Sequence, residues 1–158
     1  MEKSVKRINN GNTYWFKEGT NILHRERNLP ACEYSNGDKE YYINGKLHRE
    51  DGPAIEYANG DKEYYLNGER HREDGPAIEY VIQDKYHKEY YLNGKRHREN
   101  GPAIKDVDGD KFYYLNGKLH REDGPAIECV NGDKFYYLND RLHREDGPAI
   151  EWADGYKA

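Results

Sequence analysis

Tyr41-Tyr42-Ile43-Asn44-Gly45-Lys46-Leu47-His48-Arg49-Glu50-Asp51-Gly52-Pro53-Ala54-Ile55-Glu56 returns almost unchanged along the rest of the chain. Its histidine recurs at His24, His48, His71, His97, His120 and His143, in steps of 24, 23, 26, 23 and 23 residues. A fixed period of this size marks a repeat architecture, in which each copy buries its apolar face against its neighbours. A catalytic group is needed once, whereas a structural group is needed in every copy. The recurring residues therefore read as scaffold, and function is expected where the copies differ or on a surface that the array builds.

Within one copy, Pro-Ala-Ile-Glu-Tyr (residues 76–80) and Lys-Glu-Tyr-Tyr-Leu (residues 62–66) alternate and are rich in β-formers. Short runs of this kind between Asn-Gly and Asp-Gly pairs read as strands. Asn-Gly at 36–37, 59–60 and 131–132 is expected to form a tight hairpin turn with both residues at positive φ. The second Asn-Gly, at 44–45, 67–68, 93–94 and 116–117, is expected to end the Tyr-Tyr strand and open a longer connection. The pattern begins before the first histidine, because residues 4–8, Asn10-Gly11 and residues 13–16 repeat the strand–turn–strand order. Trp15 stands where later copies have Tyr64, and Trp152 where they have Tyr80, which reads as capping by larger rings. The expected fold is all-β: one domain over residues 1–158, an elongated, twisted antiparallel β-hairpin ribbon of about six copies.

Leu, Ile, Val and Phe make up only 25 of the 158 residues, while 16 tyrosines supply large, partly polar burial surface. The expectation is a thin ordered sheet rather than a thick core. The net charge is −5, with acidic and basic residues finely interleaved. No basic stripe follows a phosphate backbone, so direct nucleic-acid binding and attachment to an anionic membrane are disfavoured. Cys32 and Cys129 lie four copies apart and read as free thiols in a reducing compartment. Residues 1–7 have no apolar signal-peptide core and no long apolar run occurs, so the expected location is cytoplasmic.

Tyr-x-x-Gly-x-x-His followed by Gly, repeated near a 23-residue period over nearly the whole chain, resembles the MORN repeat and its bacterial variants. Arg follows the His where MORN repeats usually have Gly. The His-Arg-Glu-Asp-Gly-Pro-Ala form is similar to arrays of bacteriophages and large DNA viruses. The resemblance implies a hairpin ribbon that serves as a protein-interaction scaffold. It further implies a viral or phage accessory protein that binds and blocks a host defence factor in the host cytoplasm.

A His beside carboxylates can serve as an acid–base pair, but its sixfold recurrence reads as structural pairing along the ribbon. Histidines one copy apart stand about 10 Å apart by strand spacing, too far to share a metal ion. No phosphate loop, nucleophile motif or CxxC pair is present. The reading is therefore a chain that is not an enzyme and needs no cofactor or metal.

The irregular copies carry the candidate sites. Between Tyr80 and Lys88 the short Gly-containing turn is replaced by residues 81–87, three residues longer and without Gly. Val81, Ile82, Tyr86 and His87 are the candidate protein-contact residues there. The second tyrosine of each pair, Tyr65, Tyr91 and Tyr114 among them, is expected to form an open aromatic row that could anchor a partner. The next strand is altered too, with Lys105-Asp106 in place of Glu-Tyr, and Asn139-Asp140 replaces an Asn-Gly turn. At the C-terminal end, the strand expected after the turn at residues 154–155 is missing from the pattern. Ile150 and Trp152 are therefore expected to offer an unpaired edge for a homodimer or a capping partner. The function expected is a non-enzymatic repeat scaffold for an unidentified protein partner. The alternatives are an acidic nucleic-acid mimic that blocks a nuclease or defence complex, and a nucleotide-binding or nucleotide-cleaving protein using a His-Arg-Glu cluster.

Overall fold

Short alternating strands bounded by Gly and Asn leave no room for a helix, and among the described residues none forms. The computed structural model describes residues 3–158. No helix of it is long and apolar enough to cross a membrane. The chain forms two units, Met1–Arg72 and Glu73–Ala158. In the first, Ser4–Asn9, Asn12–Lys17, Cys32–Glu33, Lys39–Glu40, Ile55–Glu56 and Lys62–Glu63 pair in that order, each antiparallel to the next. In the second, the order is Ile78–Ile82, Lys85–Glu89, Ile104–Lys105, Lys111–Phe112, Ile127–Glu128, Lys134–Phe135 and Ile150–Glu151, again antiparallel throughout. The expected all-β hairpin repeat is thus present in both units.

Each full copy after the first contains four short strands, not the expected two. Lys-x-Tyr-Tyr-Leu is not one strand, because its first tyrosine passes the backbone from one ladder to another. The Tyr41 N–H donates to the Ala54 carbonyl at 2.8 Å, and the Tyr41 carbonyl accepts the His48 N–H at 2.9 Å. Tyr90, Tyr113 and Tyr136 repeat both contacts. The second tyrosine then opens a separate two-stranded hairpin, such as Tyr42–Ile43 with Lys46–Leu47 or Tyr114–Leu115 with Lys118–Leu119.

The first Asn-Gly pair joins adjacent antiparallel strands as expected, but the φ pattern expected of it is found at the second pair. Asn44 and Gly45 have φ of 51° and 76°, Asn67 and Gly68 54° and 86°, and Asn116 and Gly117 53° and 85°. Two consecutive positive φ angles make the primed two-residue turn that matches strand twist. That second pair closes a tight hairpin rather than opening a long connection. In the first pair only glycine is left-handed, with Gly37 at 98°, Gly60 at 95° and Gly132 at 102°. There Gly37 donates to the Tyr34 carbonyl and Tyr34 to the Asp38 carbonyl. Asn36 Oδ1 accepts the Asp38 N–H, a local side-chain turn. The Asp38 carboxylate in turn accepts the Ala58 N–H of the next copy at 2.7 Å. Asp110 and Asp133 do the same for Val130 and Ala153.

The core is thin, as expected. Ala31, Ala54, Ala77, Ala103 and Ala126 are fully buried, and Ile55, Ile78, Ile104, Tyr41, Tyr91 and Cys32 join them. Trp15 takes the Tyr64 role: its carbonyl accepts the His24 N–H as that of Tyr64 accepts His71. Trp152 packs edge-on against Phe135 with ring centroids 5.3 Å apart.

The expectation of an unpaired edge at Ile150 and Trp152 is corrected. The chain turns at residues 154–155 and comes back along this strand. Ile150 and Ala158 exchange backbone bonds of 2.9 and 3.1 Å, and the Trp152 N–H donates to the Tyr156 carbonyl at 2.9 Å. Three residues suffice because the turn repeats the tight loop of the earlier copies. The backbone argument for a homodimer through this edge therefore falls away.

Candidate functional site

The His-Arg pair is built into the joints between copies. His48 Nδ1 accepts the N–H of Asn67 at 3.1 Å, nineteen residues on, and His97 does the same for Asn116 at 3.2 Å. The following arginine lies flat on the first aromatic ring of its copy. Guanidinium-to-centroid distances are 3.7 Å for Arg25 on Trp15, 3.8 Å for Arg49 on Tyr41 and 4.0 Å for Arg121 on Tyr113. The same guanidinium donates to a proline carbonyl and to the next glutamate. Arg121 reaches Pro125 and Glu128 at 3.2 and 2.6 Å, and Arg144 reaches Pro148 and Glu151 at 3.4 and 2.7 Å. Burial pushes Glu128 up, but hydrogen bonds from Lys111 and Arg121 outweigh it and hold the carboxyl below its ordinary value. These contacts bind ring, turn and strand into one joint, and the His and Arg side chains are spent on it.

The tyrosine row is not open. Tyr91 is 7% exposed, and its hydroxyl donates to Glu89 at 2.8 Å while accepting from Arg96 Nε at 3.1 Å. Tyr65 is half-buried and makes the same pair of contacts with Glu63 and Arg70. Tyr114 is half-buried with Arg96 5.5 Å above its ring. The sequence could not reveal this, because alternation assigns a face without saying what covers it. The cover comes from the small second hairpin, whose arginine reaches over the ring.

The long hairpin at residues 78–89 departs from the other interior copies. Ile78–Ile82 pairs with Lys85–Glu89 around Gln83 and Asp84, whose φ angles are 49° and 62°. A primed turn is made here without glycine, so the extra residues lengthen both strands instead of forming a loose loop. Val81 and Tyr86 are direct cross-strand partners and, with Ile82, are exposed at 45, 67 and 50%. His87 belongs elsewhere. It is 7% exposed, stacks on Tyr80 at 4.3 Å and places Nε2 2.9 Å from Glu89 Oε1. The structure therefore groups Val81, Ile82 and Tyr86 at the tip and makes His87 part of the hairpin's packing. Glu89 is pushed up by burial, but His87, Tyr91 and Arg96 outweigh this and leave it below the ordinary carboxylate value.

Both thiols are free; Cys32 is fully buried and Cys129 half-buried. Burial, reinforced by the Glu40 charge, pushes the Cys32 thiol up to about 12. A group missed at the sequence level lies beside the long hairpin: Lys88, Arg98 and Lys105, with Asn100 next to Arg98. The available signal was Asn100 and Lys105 standing where other copies have Asp and Glu. Neither protein-family models nor curated proteins give a match to this chain. The fold and the site define an all-β hairpin-repeat protein with an elongated interior hairpin at Ile78–Glu89.

Proposed function

We propose that the chain is a non-enzymatic, protein-binding repeat scaffold whose contact element is the long hairpin Ile78–Ile82 and Lys85–Glu89. The observation that carries this reading is the exposure of Val81, Ile82 and Tyr86 at the tip of the hairpin that breaks the repeat. Exposed apolar and aromatic side chains on a rigid hairpin provide contact area at low entropic cost. The resemblance to phage and large-virus arrays puts forward a host factor as the partner and its blocking as the outcome. The free thiols fit a reducing cytoplasm. The test is a pull-down from the native host with wild type and with Ile82→Lys/Tyr86→Lys. The expected result is a partner captured by wild type, retained by His120→Ala and lost by the double variant at unchanged melting temperature. A partner retained by the double variant would refute the hairpin as the contact element.

A second reading is favoured by the exposed carboxylates of the His-Arg-Glu-Asp segments, including Glu122, Asp123, Glu145 and Asp146. Such a surface suits mimicry of a nucleic-acid backbone. Ionic strength separates the two, because a mimic's binding collapses as salt rises and a hairpin contact largely survives.

A further inference from the structure

Across the ladders, one face carries alternating charge. In the first unit Glu33, Lys39, Glu56 and Lys62 stand in register on successive strands. In the second unit the row reads Glu79, Lys88, Lys105, Lys111, Glu128, Lys134 and Glu151. The alternation fails at Lys105, which faces Lys88 on one side and Lys111 on the other. Like charges directly opposite are destabilising. Lys111 is compensated by Glu128 at 2.9 Å, but Lys105 has no carboxylate within ion-pair distance among the described residues.

Arg98 shows the same loss from a second direction. Arg121 is held by Asp123 at 2.9 Å and Glu128 at 2.6 Å, and Arg144 by Asp146 at 2.9 Å and Glu151 at 2.7 Å. In the Arg98 copy these positions are Asn100 and Lys105. Arg98 keeps the rest of the joint, stacking on Tyr90 at 3.9 Å and donating to the Pro102 carbonyl at 3.1 Å. Two substitutions have thus removed both carboxylates from a guanidinium still held in its binding pose.

The place they vacate is a cavity of about 610 Å³, lined by Lys85, Tyr86, Lys88, Arg98 and Lys105 among others. Its two acidic residues are already engaged. The Asp106 carboxylate accepts the N–H groups of Asp108, Gly109 and Asp110 at 2.9–3.0 Å, and Asp108 pairs with Lys85 at 3.8 Å. Strand alternation puts Lys88 and Lys105 on the face of Val81 and Tyr86, so the cations adjoin the apolar tip.

We infer that this cavity receives a carboxylate from an acidic segment of a protein partner, which takes the place of the glutamate that Lys105 has displaced. The same kind of Arg-and-Lys grip holds Glu128, with Arg121 at 2.6 Å and Lys111, the counterpart of Lys88, at 2.9 Å. An acidic residue flanked by apolar ones would bridge Arg98 and Lys88, with Lys105 beside it, while its neighbours cover Val81 and Tyr86. The inference rests on the scaffold reading and names its partner's chemistry.

The test uses a fluorescein-labelled hexaglutamate peptide and anisotropy at fixed ionic strength. Lys105→Glu restores the copy's own carboxylate, Lys105→Met removes only the charge, and Lys118→Glu makes the same charge change at an exposed site away from the cavity. Loss of a charge-assisted bond should weaken binding about tenfold or more in both Lys105 variants and leave Lys118→Glu near wild type. Lys105→Glu should also melt higher than wild type, because Arg98 regains a partner. No binding by wild type, or an equal loss in Lys118→Glu, would overturn the site. Glutarate or inorganic phosphate binding as tightly as the peptide would overturn its assignment to a peptide segment. A partner that survives the hairpin-tip double variant, with peptide binding intact, would sink the hairpin reading and leave the carboxylate site standing.

Discussion

At the scale of single residues, the histidines differ in what they hold. His48 Nδ1 accepts a backbone N–H, whereas His120 Nδ1 is buried with no hydrogen-bond partner. At the turn facing His120, Asp140 stands where other copies have glycine, and its carboxylate takes the Leu119 N–H at 2.8 Å. An ordinary intramolecular hydrogen bond contributes about 0.5–1.5 kcal/mol net. His48→Ala should therefore lower stability by about that much and His120→Ala by less, read from denaturant midpoints. Equal losses would show that the Nδ1 bond contributes nothing. The cysteines offer a second contrast. Only the thiolate is a nucleophile, and burial pushes both thiols up, Cys32 to about 12. Cys129 should react with a thiol reagent well before Cys32 in the folded protein, and both at once after unfolding. Mass spectrometry of partly labelled protein reads the order.

At the scale of the element, the turns decide where strands begin and end. Gly68 has φ of 86°, and a Cβ there would meet Lys46 only at ordinary contact distance, 3.6 Å. Gly68→Ala should thus cost about 1 kcal/mol through backbone strain alone. A thermal melt checks this, and no loss would mean that the primed turn can be rebuilt. The existence of the turns was legible from Asn-Gly, but their types were not. Both pairs read alike, but Asn36 is tied by its side chain to the Asp38 N–H, whereas Asn67 is left-handed and its N–H is held by His48 Nδ1. The long hairpin was legible as an insertion. That it would extend as paired strands, with Val81 and Tyr86 outward and His87 packed on Tyr80, depended on register.

At the scale of the whole molecule, stability should depend on pH at both limits. Glu89 and Glu128 sit below their ordinary value in the folded state. Their contribution is complete above about pH 4.3, the unfolded value, and is lost as pH falls through the lower folded value. Tyr42, Tyr57, Tyr65 and Tyr91 are raised, chiefly by burial and then by neighbouring glutamates, with Tyr57 near 12. Their contribution holds below about pH 10 and is lost as pH rises beyond it. The raised Cys32 and Cys129 thiols add a loss that begins above about pH 8.5, their unfolded value, so melting temperature should be level between about pH 4.3 and 8.5 and fall outside that range. Tyrosinate absorbance in the folded protein should lag behind that of the unfolded chain, and coincident curves would contradict the burial of these hydroxyls. The returning segment at the C-terminal strand belongs to the same scale. Ile150→Lys/Trp152→Lys should lower stability and leave the mass by light scattering unchanged, whereas a fall in mass would restore the dimer through that edge.

The sequence by itself determined the repeat, the all-β class, the hairpin punctuation and the place where the pattern breaks. These follow from local steric rules and from a period that any residue-by-residue comparison reveals. Tertiary structure decided what covers each face and which charges meet. Tyr91 is closed off because Arg96 and Glu89 come over it, and Ile150 is paired because Ala158 returns to it. Arg98 lies 7 residues from Lys105 in the chain, as Arg121 lies from Glu128. The letters alone record a Glu-to-Lys change. Only the folded joint turns that change into a vacant carboxylate position, because the ring stack and the proline carbonyl hold the guanidinium in place whether or not its partner is there.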